Sequence, residues 1–106
     1  MAEWLKLCDA SVVPDHEGRC VHLNGEDIAV FNLGGDFFAV ADRCPHGQAS
    51  LAEGWVENGE VECPLHQSRF NLATGEVQCP PARDNVRAYK VRLEGGVVMV
   101  SLGEGA

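Results

Sequence analysis

Three observations predict an all-β fold. Apolar stretches along the chain are of strand length, two-residue turn signals separate most of them, and no helical periodicity lasts beyond a turn or two. The expected form is an antiparallel β-sandwich base with a small lobe inserted. Trp4 to Cys8 starts the first strand, Asp9 to Pro14 connects, and Arg19 to Leu23 forms a second strand that ends at Asn24-Gly25. Both residues of that pair tolerate positive φ, which a tight hairpin requires. Asp27 to Leu33 returns, Gly34-Gly35 turns the chain again, and Asp36 to Ala41 completes a meander.

From Asp42 to about Pro81 the texture changes, because Gly47, Gly54, Gly59, Gly75 and the prolines break up any long element. This stretch is expected to be a lobe of loops and short strands. Asn58-Gly59 turns a hairpin whose return, Glu60 to Cys63, leads into a loop. Ala73-Thr74-Gly75-Glu76 reads as another turn and Cys79-Pro80-Pro81 as a rigid loop with fixed φ. A strand over Asn85 to Leu93 follows, then Gly95-Gly96 and a closing strand from Val97 to Leu102.

With 106 residues, 45% of them hydrophobic and 7% aromatic, the chain is expected to form one domain over 1–106, with its lobe at about 42–81. The longest apolar runs, such as Val97 to Val100, fall far short of the roughly 18 to 20 residues that span a bilayer. The start, Met-Ala-Glu-Trp-Leu-Lys, has neither a basic region nor an apolar core of a secretory signal, so a soluble cytoplasmic protein is expected. Five cysteines in such a context do not read as a disulfide framework. Cys8, Cys20 and Cys79 are expected to be small buried apolar side chains.

Sixteen acidic residues against eight Lys and Arg give a formal net charge of -8. That balance disfavours nucleic acid and anionic membrane surfaces as partners. Glu53, Glu57, Glu60 and Glu62 fall together with no basic residue among them, while Arg83, Arg87, Lys90 and Arg92 gather later. The acidic segment reads either as a solvated face or as a surface that steers basic redox partners into transient contact.

Two short motifs carry the chemistry. Cys44-Pro45-His46 and Cys63-Pro64-Leu65-His66 are separated by sixteen residues, and each supplies one thiolate and one imidazole. This order suits a Rieske 2Fe-2S cluster, in which two histidines replace two cysteines on one iron and raise its potential. Structural zinc is the rival, although it prefers different spacings. On the cluster reading, Cys44 and Cys63 bind the inner iron and His46 and His66 the outer one. The prolines fix φ after each cysteine, and Gly47 lets the first loop bend tightly. Backbone N–H groups of both loops can donate to sulfur and favour the reduced state. His16 and His22, outside the motifs, are expected to face solvent.

The chain resembles the Rieske ferredoxins of bacterial aromatic-ring-hydroxylating dioxygenase systems, most closely the naphthalene and biphenyl type. The likeness rests on Cys44-Pro45-His46-Gly47, on Glu62 through Phe70, and on Thr74-Gly75 and Pro80-Pro81. It implies a Rieske fold and one 2Fe-2S cluster held by Cys44, His46, Cys63 and His66. It also implies a role as one-electron carrier, without catalysis of its own, from an NAD(P)H-dependent flavoprotein reductase to a terminal oxygenase. The small Rieske subunit of a nitrite-reductase-like enzyme is the alternative with the same motifs. Respiratory Rieske proteins, by the same comparison, add a disulfide between the loops and a tyrosine four residues past the second histidine. Here those positions are Ala49, Leu65 and Phe70, although Ser68 keeps a hydroxyl nearby. Fewer donors to sulfur imply a potential near the lower end of the range of about -150 to +300 mV.

Overall fold

A computed structural model describes residues 4–44, 49–65, 68–79 and 84–101. Ten strands and two 3-10 turns follow in the order β1 (Trp4–Asp9), a 3-10 turn (Ala10–Val12), β2 (Glu17–Leu23), β3 (Glu26–Leu33), β4 (Asp36–Ala41), a second 3-10 turn (Leu51–Glu53), β5 (Trp55–Glu57), β6 (Glu60–Glu62), β7 (Arg69–Asn71), β8 (Val77–Cys79), β9 (Ala88–Glu94) and β10 (Val97–Ser101). All strand pairings within the two sheets are antiparallel. Six strands form the base in the order β1-β10-β9-β4-β3-β2, and four form the lobe in the order β5-β6-β7-β8. Among the described residues, no helix is long and apolar enough to cross a membrane.

Four hairpins take the turns that the Asn-Gly and Gly-Gly pairs predict. Both central residues have positive φ in each case: Asn24 at 52° and Gly25 at 81°, Gly34 at 64° and Gly35 at 100°, Asn58 at 54° and Gly59 at 77°, Gly95 at 55° and Gly96 at 81°. This backbone twist matches that of the flanking strands and fixes their register. Thus Leu23 pairs with Glu26, Leu33 with Asp36, Glu57 with Glu60, and Glu94 with Val97.

The base folds its two halves over a first core. Leu7, Ile28, Val30, Ala39, Tyr89, Val98 and Val100 are buried there, with Val21 and Leu23 of β2 packed against them. The halves join through a short pairing of β4 with β9, Ala39 to Tyr89 and Val40 to Ala88. A second core lies on the other face of β3 and β4, where Ala29, Phe31 and Val40 meet Leu51, Val61, Phe70 and Leu72 of the lobe. β3 is therefore covered on both faces, which explains why Ile28 to Phe31 is an unbroken apolar run and why all four are 0% exposed.

The strand expected from Asn85 starts later, at Ala88. The Arg87 carbonyl already accepts from the Ala41 N–H of β4 at 2.9 Å, but Asn85 and Val86 bond to the lobe. Asn85 Oδ1 accepts the N–H of Val77 at 2.9 Å, and the N–H of Val86 reaches the carbonyl of Gly75 at 2.8 Å. At Gly75, φ is +78° and any Cβ would collide with the Val86 carbonyl, so only glycine allows this approach.

Candidate metal centre

The first cysteine loop leaves the base at the end of β4. Asp42 follows, then Arg43, which bridges across to Ser50, and then Cys44, whose N–H donates to the Ala49 carbonyl at 3.0 Å. The second loop is the tip of the β6–β7 hairpin. Glu62 pairs with Arg69, and the N–H of Cys63 donates to the Ser68 carbonyl at 2.7 Å. In both loops, then, a cysteine N–H reaches the carbonyl five residues ahead. The motif histidines, His46 and His66, fall in the enclosed segments and lie outside the described residues, as do Pro45 and Gly47.

Both thiols belong to the second core. Cys44 is 1% exposed and Cys63 0%, and they share an apolar cluster with Phe31, Val61 and Phe70. Among the described residues, no group of three or more His, Cys, Asp or Glu side chains converges on a metal site. Two of the four candidate ligands lie outside those residues. What is described fits an iron-sulfur group: two buried sulfur donors on matching loops, in surroundings that keep water from the inner side. None of the five cysteines is in a disulfide, and neither Ala49 (buried) nor Leu65 (65% exposed) offers sulfur for a brace between the loops. Phe70 is fully buried in the lobe core, and so is Ser68, whose carbonyl accepts from the Cys63 N–H.

The other cysteines depart from expectation. None of the three is fully buried: Cys8 and Cys79 are half-buried, and Cys20 is exposed. Cys8 packs at the margin of the base core, because the β1–β10 register shifts between Lys6 and Cys8. Cys20, on β2, lies near the Asp42 carboxylate. Desolvation, followed by the nearby Asp42 carboxylate, pushes its thiol up to about 11, so it stays protonated and a poor nucleophile at neutral pH. His16 and His22 do face solvent, with Nδ1 of each 2.8 Å from a neighbouring carboxylate, Asp15 and Asp27 respectively.

The acidic segment gains a cation that the linear sequence hides. Arg69 of β7 lies across from β6, with Nε 3.4 Å from Glu62 and Nη1 4.0 Å from Glu60. Beside them Trp55 is 70% exposed, on the same outward row as Glu62 and Arg69. The later basic residues do not form one patch. Arg87 stacks on Tyr89 and reaches Glu26 at 3.5 Å, whereas Arg92 lies over Trp4. Arg83 lies outside the described residues.

Sequence reading passed over Asp42, whose partners are distant in sequence: its Oδ1 accepts from Ser50 Oγ at 2.8 Å and from the Ala52 N–H at 3.0 Å. The only signal was its place two residues before a candidate ligand.

Comparison with known proteins agrees with this geometry. The Rieske 2Fe-2S domain profile matches residues 3–90. The chain is 44% identical over 99 residues to the 3-phenylpropionate/cinnamic acid dioxygenase ferredoxin subunit of Escherichia coli K12, with 92% of each chain covered. It is 34% identical over 100 residues to the ferredoxin component of the naphthalene 1,2-dioxygenase system of Pseudomonas aeruginosa, covering 94% of this chain and 96% of that one. Among solved structures, a chain from the complex of reduced oxygenase and oxidised ferredoxin in carbazole 1,9a-dioxygenase superposes with a TM-score of 0.87 at 36% identity. The match covers 97% of this chain and 95% of that one. A match over most of the chain, relatives of nearly equal length and two buried cysteines on matching loops all lead to one assignment: the chain belongs to the Rieske 2Fe-2S domain family.

Proposed function

We propose that this protein is the ferredoxin component of an aromatic-ring dioxygenase system. In this reading it carries single electrons from an NAD(P)H-dependent flavoprotein reductase to a terminal oxygenase. It binds one Rieske cluster through Cys44, His46, Cys63 and His66, and it works in the cytoplasm as a single domain without disulfides. The observation that carries the reading is the pairing of the two loops. Cys44 and Cys63 come from separate elements into one buried apolar core, each with its N–H bonded to the carbonyl five residues on. Relatives named as dioxygenase ferredoxin components match this chain over almost their whole length, which supports a carrier over an oxygenase.

The cluster, when bound, supplies a one-electron couple with its potential raised by imidazole ligation. The chain's own residues do the rest. The apolar packing of Val61, Phe70 and Leu72 shields the inner side, and Pro64 and Leu65 place the second loop's tip in solvent. On the lobe's outer face, Glu57, Glu60 and Glu62 surround Trp55, with Arg69 the one cation among the described residues lining that spot, in a chain of net charge -8. This favours fast, weak encounters with basic partner surfaces.

The test is reconstitution with a reductase, an oxygenase and NAD(P)H. Turnover should depend on this protein, and the electron-transfer rate should fall as ionic strength rises from about 0.01 to 0.15 M, where the screening length shortens from about 30 to 8 Å. A rate indifferent to salt would remove the steering role. Absence of any transfer to an oxygenase would remove the carrier reading.

A further inference from the structure

Asp42 stands between β4 and Cys44 and is only 7% exposed. Its carboxylate accepts from Ser50 Oγ at 2.8 Å and from the Ala52 N–H at 3.0 Å, and its charge is near enough to act on the Cys20 thiol of β2. The main chain of the same residue is engaged as well. Its N–H donates to the Asp27 carbonyl at 3.0 Å, and its carbonyl accepts from Leu51 at 2.7 Å. One residue thus joins β3, through its main chain, to the 3-10 turn by which the chain leaves the first loop. Donors on a buried carboxylate are the usual condition for keeping such a charge inside a protein.

We propose that Asp42 is a positioning residue for the cluster, holding the two ends of the first loop together through Ser50 and Ala52 and lowering the reduction potential with its negative charge. The reasoning rests on the reading that Cys44, His46, Cys63 and His66 hold a Rieske group. Reduction adds negative charge to that group, and a fixed like charge in a low-dielectric lobe opposes it. The geometry joins the two effects in one residue, since the bonds that position the loop also solvate the charge.

Two substitutions separate them. Asp42→Asn removes the charge but keeps an oxygen for Ser50 and Ala52, whereas Ser50→Ala keeps the charge and deletes one bond to the loop. In protein-film voltammetry, Asp42→Asn should retain wild-type iron content and favour reduction by several-fold to about tenfold, a rise of up to about 59 mV for a one-electron couple. Ser50→Ala should keep the wild-type midpoint and lose iron to a chelator several-fold faster. An unchanged midpoint in iron-replete Asp42→Asn overturns the electrostatic role, and wild-type iron retention in Ser50→Ala overturns the positioning role. The wild-type protein tests the underlying reading separately: if it shows no rhombic EPR signal on reduction, the cluster assignment itself fails, whatever the variants do.

Discussion

In the first cysteine loop the chain returns from Ala49 through Ser50 into a 3-10 turn fastened to Asp42, whereas in the second it returns from Ser68 straight into β7, paired with β6. The same cysteine-to-carbonyl closure is thus supported in two ways. The second support is a ladder of backbone bonds, to which any sequence able to form strands contributes. The first adds one carboxylate and its donors to the Arg43–Ser50 bridge and the main-chain bond from Leu51 to Asp42, so part of its geometry rests on the identity of a single residue. The supports meet at Gly54, just past the 3-10 turn, where an added Cβ would collide with the carbonyl of Glu62, the residue before Cys63.

The two supports can be broken at the shared core, at the junction, and on the ladder. The largest effect is expected from Phe70→Ala, because Phe70 is 0% exposed and packs in the cluster that holds both cysteines. A loss of about 3 to 5 kcal/mol in unfolding free energy should appear in denaturant titration, with iron lost from both loops together. A change below about 1 kcal/mol would show that the lobe core is not shared as described.

A smaller effect is expected at the junction. Gly54→Ala should cost about 1 to 3 kcal/mol, because the new methyl group meets backbone and not a movable side chain. Its cluster should also be less firmly held, since the turn behind the first loop is pushed away from Glu62. Wild-type stability in this variant, measured by thermal unfolding, would mean the two supports are independent.

The smallest effect belongs to Arg69→Ala. The Arg69–Glu62 pair is a surface contact at 3.4 Å, with the arginine side chain 49% exposed, so less than about 1 kcal/mol should be lost. The ladder holds the second loop without that pair. Iron content and midpoint potential should stay at wild-type values, and a large loss of iron would show that the hairpin depends on its side chains after all.

Legibility in the sequence followed the range of the interactions. The hairpins at Asn24-Gly25 and Asn58-Gly59 were readable because two adjacent residues dictate a positive-φ turn. The two cysteine motifs stood out in the sequence because metal chemistry fixes residue type and spacing within a few positions, and the structure buries both cysteines in one core. The late start of β9 was hidden, since Val86 leaves the alternation to bond Gly75, eleven residues earlier. Arg69 beside the glutamates and Asp42 beside Cys20 were hidden for the same reason, because strand pairing brings together residues that the linear chain keeps apart. The exposure of Cys20 likewise follows from its outward position on β2 and not from its composition.

The central claim is that two differently supported loops hold one cluster with two sulfur and two nitrogen ligands. Metal analysis with EPR of the reduced protein tests it most directly. The account predicts about two irons per chain and a rhombic signal, with a midpoint in the lower half of the range of about -150 to +300 mV. One zinc per chain and no signal on reduction would contradict it.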